Sequence, residues 1–249
     1  MRTLVVVLVA ALVAGCGSHK EARALPHAPS LSSSCGSVAD RVHAAARWVR
    51  TSDGVRLYTA FAGNGSTAVV LAHESPPADV CGWLPTIAWL GSRGIATVAF
   101  DFRGSGRSDS PDMPKYLHYE PDLQAEVDAA RDHGASRVVL MGASFGGAAV
   151  LTNGPQLHDV DAIVSLSGEQ RIEARRLDAV AALPKLRTPL LVAASRDDRY
   201  LDAAAAQQLL ARAGSSRKEL ALFPGVVHGW DLIQNPRVRA VVLRWIRGA

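Results

Sequence analysis

Cysteine is scarce: the 249 residues hold three, at positions 16, 35 and 81, and no two histidines stand four apart with a glutamate between them. These spacings offer no metal site, so neither a metal nor a cofactor is expected. Lysine and arginine are scattered without the runs of a nucleic-acid arm, which leaves no reason to expect nucleic acid as a partner. Long apolar runs are missing after the first fifteen residues, so nothing later in the chain is suited to crossing a bilayer. Gly104 and Gly106 are not followed by the rest of a dinucleotide fingerprint, and no internal repeat is visible.

What is present reads as one globular domain behind a leader. Hydrophobic residues make up 48% and charged residues 20% of the chain, a composition that supports a single core at this length. The net charge of +4 is distributed as on any solvated surface and argues for no particular partner. Met1-Arg2-Thr3, the apolar run Leu4 to Val13 and the small residues that follow have the form of a cleavable export signal. Val13-Ala14-Gly15-Cys16 resembles the bacterial lipobox, which implies that Cys16 becomes the lipidated first residue of the mature protein. The expected organisation is a signal peptide over 1–15, a lipid-anchored tether over 16–45 rich in Ser, Pro, Ala and His, and a folded domain over 46–249. The location implied is the extracytoplasmic side of a bacterial cell membrane, with the membrane as a partner only through the N-terminal lipid. In such an oxidising place Cys35 and Cys81 either pair or stay as two free thiols.

Within the domain, Trp48 to Phe61 alternates about Ser52-Asp53-Gly54 and predicts an antiparallel hairpin. Strands follow at Ala68–Ala72, Ala96–Phe100, Val138–Met141, Ala162–Ser167, Leu190–Ala194 and Leu220–Leu222. Helices are expected at Pro85–Arg93, Asp122–His133, after Ser144, at Ala203–Ala213 and at Arg237–Ile246. The strands are continuous apolar runs rather than alternations, the pattern of a mainly parallel α/β sheet covered on both faces.

The strand Val138–Met141 runs into Gly142-Ala143-Ser144-Phe145-Gly146 and then a small-residue helix. A strand-to-helix turn this sharp excludes bulky side chains two residues either side of the serine, and the helix N-terminus favours developing negative charge there. Ser144 is thus the expected nucleophile. A serine hydroxyl needs a base within reach, and the base needs a third group to fix its tautomer. His228 lies in a Gly-containing loop between the last strand and the last helix and is the expected base. The acid should end the strand before it, where Asp197 and Asp198 stand side by side and only one can face the imidazole.

From about Trp48 to the C-terminus the chain resembles the α/β-hydrolase superfamily, in the style of its dienelactone-hydrolase-like and small serine esterase branches. The resemblance rests on the turn at Ser144, on His73 after the third strand, and on Phe100-Asp101-Phe102-Arg103-Gly104-Ser105-Gly106-Arg107-Ser108, similar to the family's D-x-R-G-x-G-x-S. It implies the α/β-hydrolase fold: a doubly wound sheet with an N-terminal antiparallel hairpin and little or no cap, since only about twenty residues separate Ser167 from Leu190. It favours Asp198 as the acid, with Asp197 the alternative, and implies the backbone N–H groups of Phe145 and Ser75 as oxyanion donors. Asp101, Arg103 and Ser108 are implied to hold a loop without taking part in chemistry. Glu74 stands where the family usually has Gly, so Glu74 and His73 are marked as active-site neighbours; a carboxylate there opposes an oxyanion unless it is turned away or paired.

The activity implied is hydrolysis of a carboxylic ester, or an amide or thioester, of a small acyl substrate through an acyl-enzyme, by a monomer and without a cofactor. The same triad serves an acyltransferase, and the same fold serves non-catalytic binding lipoproteins. Product analysis with alternative acceptors separates the first of these, and loss of a triad member would mark the second.

Overall fold

The computed structural model describes residues 26–112 and 117–248. The expected signal peptide and Cys16 lie outside the described residues. Eight strands form one sheet: β1 (Ala45–Arg50), β2 (Arg56–Ala62), β3 (Thr67–Ala72), β4 (Ala96–Phe100), β5 (Arg137–Ala143), β6 (Ala162–Leu166), β7 (Leu190–Ser195) and β8 (Lys218–Phe223). Their order is β1-β2-β4-β3-β5-β6-β7-β8, with β2 antiparallel to both neighbours and every other pair parallel. The longer helices are α1 (Leu84–Gly91), α2 (Glu120–Asp132), α3 (Phe145–Asn153), α4 (Ala203–Arg212) and α5 (Pro236–Arg247).

Alternate residues of each central strand enter opposite cores. Val70 and Leu140 face α2, α3 and α4, whereas Leu71 and Met141 face α1 and α5. Both faces being buried is why β3 and β5 read as unbroken apolar runs. α5 shows how a covering helix is specified: the Asn235 side chain accepts from the Arg237 N–H, Pro236 occupies the first turn, and Gly248 ends the helix at φ +82°. Its buried residues Val238, Val242, Trp245 and Ile246 repeat at helical spacing on one side. Between β6 and β7 the chain forms only a two-residue hairpin, Arg171–Ile172 with Leu177–Asp178, and short helical turns. The C-terminal strand ends are therefore not roofed by an inserted domain.

The segment expected as a tether differs from that expectation over residues 26–44. Leu31–Cys35 is a short helix, Ser37–Val42 a 3-10 turn, and Leu31 and Ala39 are buried against the core that contains α1. The Tyr58 hydroxyl donates to the Pro29 carbonyl, and Arg107 Nη2 donates to that of Ser33. Leu31 and Ala39 carry the burial, with Ala28, Cys35, Val42 and Ala44 packed at the edge, at spacings that follow no period. Cys35 and Cys81 are bonded in the structure, with Cα atoms 5.4 Å apart, and join this segment to the turn before α1. With a sequence separation of 46, loop-closure entropy alone gives the bond about 4 kcal/mol. Reduction, or a Cys35→Ser/Cys81→Ser double variant, is expected to lower the denaturation midpoint accordingly. An unchanged midpoint would show that the segment is held without the bond.

One buried acid carries no chemistry. Glu126 on α2 is fully buried, receives only the Thr59 hydroxyl on one oxygen, and leaves the other without a partner. Burial pushes its carboxyl well above the usual 4.5. Its favourable contribution is thus fully present below that ordinary value and is lost as pH rises toward the folded one. The melting-temperature advantage of Glu126→Gln should grow with pH above 4.5 and vanish below it.

Candidate functional site

Five loops meet at the C-terminal ends of β3, β5, β6, β7 and β8, the edge of a parallel sheet where ligands characteristically bind. At the centre, β5 turns into α3 through Ser144, which has φ +50° and ψ −117°. A non-glycine residue held there costs about 1–3 kcal/mol, and the turn tolerates no side chain on either flank. A Cβ on Gly142 would lie 2.2 Å from the Gly146 carbonyl oxygen, and one on Gly146 would lie 2.2 Å from that of Ala72. These clashes explain the spacing of the G-x-S-x-G segment.

The structure brings Ser144, His228 and Asp198 together. Ser144 Oγ is 2.8 Å from His228 Nε2, and His228 Nδ1 is 2.9 Å from both carboxylate oxygens of Asp198. Nδ1 faces a group that only accepts, so it carries the ring proton and Nε2 is left to accept from the serine hydroxyl. The Asp198 side chain is fully buried, and its Oδ1 also accepts from the Tyr200 N–H at 2.9 Å. Asp197 is exposed and makes its backbone N–H bond to the Gly225 carbonyl instead. Of the two neighbours, Asp198 is the one facing the imidazole.

The proposed oxyanion donors are both free. Among the described residues neither the Phe145 nor the Ser75 N–H finds an acceptor: the first opens α3, and the second lies in the turn after β3. His73 does not face the serine. Its ring is fully buried, its Nε2 accepts from the Phe102 N–H at 3.0 Å, and desolvation pulls its pKa to about 4. It is a neutral strut between the β3 turn and the Phe100–Ser108 loop. In that loop Asp101 accepts from the Val80 and Arg107 N–H groups, Arg103 pairs with Asp53 and Asp122, and Ser108 Oγ donates to the Asp101 carbonyl. All of these contacts are internal to the scaffold.

Glu74 is paired with the loop that follows His228. Its Oε1 accepts from the Trp230 N–H at 2.7 Å, and a Cβ on Gly229 would meet that oxygen at 1.7 Å. It thereby anchors the residues directly after His228, where Gly229 sits at φ +56°. Burial raises its pKa, opposed by the Trp230 N–H and by attraction to His228. Trp230 is also gripped from the other side: a Cβ on Gly82 would fall 2.0 Å from its ring, and Trp83 stacks on it edge-on at 6.0 Å.

Sequence reasoning missed three neighbours. Trp230 anchors the His228 loop, and the Tyr200 ring lies against the His228 ring, tilted by 51° with centroids 4.8 Å apart. The third, Glu169, is half-buried after β6, and burial raises its pKa against the pull of His228. No local pattern distinguishes any of them. A groove of about 610 Å³ between β1 and α2, lined by Arg47, Phe61, Glu120, Asp128 and His133 among others, contains none of the residues that surround Ser144. Among the described residues, no group of three or more His, Cys, Asp or Glu side chains is placed to hold a metal, and no helix is long and apolar enough to cross a membrane.

The strand order, the strained serine turn and the hydrogen-bonded Ser-His-Asp line define the α/β-hydrolase superfamily, and comparison with known proteins agrees. The chain belongs to the family described as serine aminopeptidase, S33, whose pattern matches residues 77–182 and 175–231. A solved esterase of Pyrococcus furiosus superposes with a TM-score of 0.70 at 18% identity, covering 82% of this chain and 89% of that one. Est1E of Butyrivibrio proteoclasticus, solved with ferulic acid bound, superposes at 0.66 with 16% identity over 81% and 99% of the two chains. At those identities the likeness is one of fold. YfhR of Escherichia coli K12, itself uncharacterized, is 31% identical over 109 residues, which are 40% of this chain and 37% of its own length.

Proposed function

We propose that the protein is a serine hydrolase that cleaves carboxylic esters through an acyl-enzyme. The observation that carries this is the unbroken line from Ser144 Oγ to His228 Nε2 and from Nδ1 to Asp198, built on a serine strained at φ +50°. In the first half-reaction Ser144 attacks the carbonyl carbon while its proton passes to His228. The oxyanion is received by the Phe145 and Ser75 N–H groups, and His228 returns the proton to the leaving oxygen. Water then repeats the sequence on the acyl-enzyme. The lack of an inserted domain between β6 and β7 suits small or externally presented acyl groups. The esterase neighbours favour an ester over the amide that the family's description suggests.

The reading extends to location. Export as a lipoprotein through Cys16, with Cys35 and Cys81 bonded in the oxidising compartment, is proposed from the leader sequence together with the proximity of those two sulfurs. Incubating the protein with a short-chain aryl ester, in water and then with added alcohol acceptors, tests the reaction class. Free acid as the main product supports a hydrolase, and acyl transfer to the alcohol in preference to water supports a transferase.

The Glu74 anchor supplies a separate test. Glu74→Ala should release Gly229 and Trp230, let His228 drift, and lower kcat roughly tenfold to a hundredfold with little change in KM. Glu74→Gln keeps an acceptor for the Trp230 N–H and should recover most of that loss. Equal loss in both variants would assign Glu74 a charge-dependent role in place of an anchoring one.

A further inference from the structure

Among the described residues only four large hydrophobic side chains are strongly exposed, and three of them lie beside His228: Tyr200 at 55%, with its ring against the imidazole, and Val226 at 71% and Val227 at 44%, directly before it in the chain. The fourth, Val38, lies on the N-terminal segment. Apolar area left in water beside a reactive imidazole gains nothing in folding, and gains only when a ligand at that imidazole covers it.

These three are not on a loose loop. The Arg196 N–H donates to the Phe223 carbonyl at 2.8 Å, the Asp197 N–H to that of Gly225 at 3.0 Å, and Ser195 Oγ to that of Val227 at 2.6 Å. The loop after β7 and the loop after β8 are thereby sewn into one frame. Tyr200 is held by its N–H on Asp198 and by the tilted contact of its ring with the imidazole. The apolar surface is preformed, which spares a ligand the entropy of ordering it.

What covers this surface follows from the chemistry of the first half-reaction, so the inference rests on the serine hydrolase reading. When the tetrahedral intermediate collapses, the bond from the carbonyl carbon to the leaving oxygen breaks, and the proton held on His228 Nε2 moves to that oxygen. The leaving oxygen must then lie within hydrogen-bond reach of Nε2, and the group attached to it extends outward past the His228 ring. The acyl portion is held on the other side, by the Phe145 and Ser75 N–H groups at its carbonyl. We propose that Tyr200, Val226 and Val227 form the leaving-group subsite, and that the preferred substrates are esters of apolar or aromatic alcohols.

The test compares benzyl butanoate with 2-methoxyethyl butanoate, which share an acyl group and have alcohols of similar acidity but different polarity. The quantity read is the ratio of their kcat/KM values, which reports acylation. The wild-type ratio should favour the benzyl ester about tenfold or more, and should fall toward one in Tyr200→Ala and in a Val226→Ser/Val227→Ser double variant. A purely structural disturbance of His228 lowers both substrates and leaves the ratio intact. A wild-type ratio near one, or a ratio the variants do not move, overturns the proposal. If the variants instead lose binding to phosphatidylglycerol vesicles with the ratio unchanged, the rim docks to a bilayer and the proposal is likewise overturned.

The same contact is read without turnover in Ser144→Ala, by NMR of the valine methyl groups, so that failure of the subsite is distinguished from failure of the hydrolase reading. Shifts at Val226 and Val227 with benzyl butanoate, and not with 2-methoxyethyl butanoate, support the subsite. No shift with either ester overturns it.

Discussion

Replacing Ser144 with alanine is expected to lower kcat on a short-chain aryl ester by a factor on the order of 10⁵ to 10⁶. The substitution removes the one oxygen positioned 2.8 Å from His228 Nε2 and leaves the backbone turn as it was, since alanine carries the same Cβ at φ +50°. The melting temperature should therefore stay close to that of the wild type. His228→Ala should cost about as much, and the double variant no more than either single one. Nucleophile and base act as a unit, so losing the second adds little once the first is gone. Additive losses would mean that the two residues work in separate steps.

Asp198→Asn is expected to lower kcat by roughly 10⁴, whereas Asp197→Asn should change it by less than about twofold. An asparagine at 198 keeps its carbonyl oxygen for the Tyr200 N–H, which now bonds Asp198 at 2.9 Å, and turns its amide toward His228 Nδ1. That amide donates, so Nδ1 must accept and the ring proton moves to Nε2. Nε2 then faces the Ser144 hydroxyl as a donor, and the hydroxyl proton has nowhere to go. Asp197 is exposed, and its bond to the Gly225 carbonyl uses the backbone N–H, which the substitution leaves untouched. A large loss at 197 and a small one at 198 would reverse the assignment of the acid.

Much of this architecture is legible in the sequence because it follows from local rules. β3, β5 and β7 contain unbroken apolar runs, and β6 one interrupted only by Ser165, as a sheet buried on both faces makes them. Ser144 is legible because the glycines at 142 and 146 are required by backbone oxygens within 2.2 Å of where a side chain would start. The choice between Asp197 and Asp198 is not local. It depends on which residue the turn after β7 points inward, and both sequences of events look alike in one dimension. Glu74 is opaque for a different reason: its partner Trp230 lies 156 residues away, and the same carboxylate could face the oxyanion or the His228 loop. The packing of residues 26–44 is invisible because a few irregularly spaced small apolar side chains, bonds from Tyr58 and Arg107, and one sulfur bridge hold it, with no period to detect. Tyr200 reads as an ordinary loop residue until the two loops around His228 are brought together.

The most direct measurement is to treat the folded protein with an active-site-directed fluorophosphonate and map the adduct by peptide mass spectrometry, with His228→Ala alongside. One adduct per chain, on Ser144, formed in the wild type and slowed severely in the variant, is the predicted result. No adduct on the folded wild type, or an adduct on another residue that forms as fast in the variant, would contradict an activated Ser144 and with it the serine hydrolase.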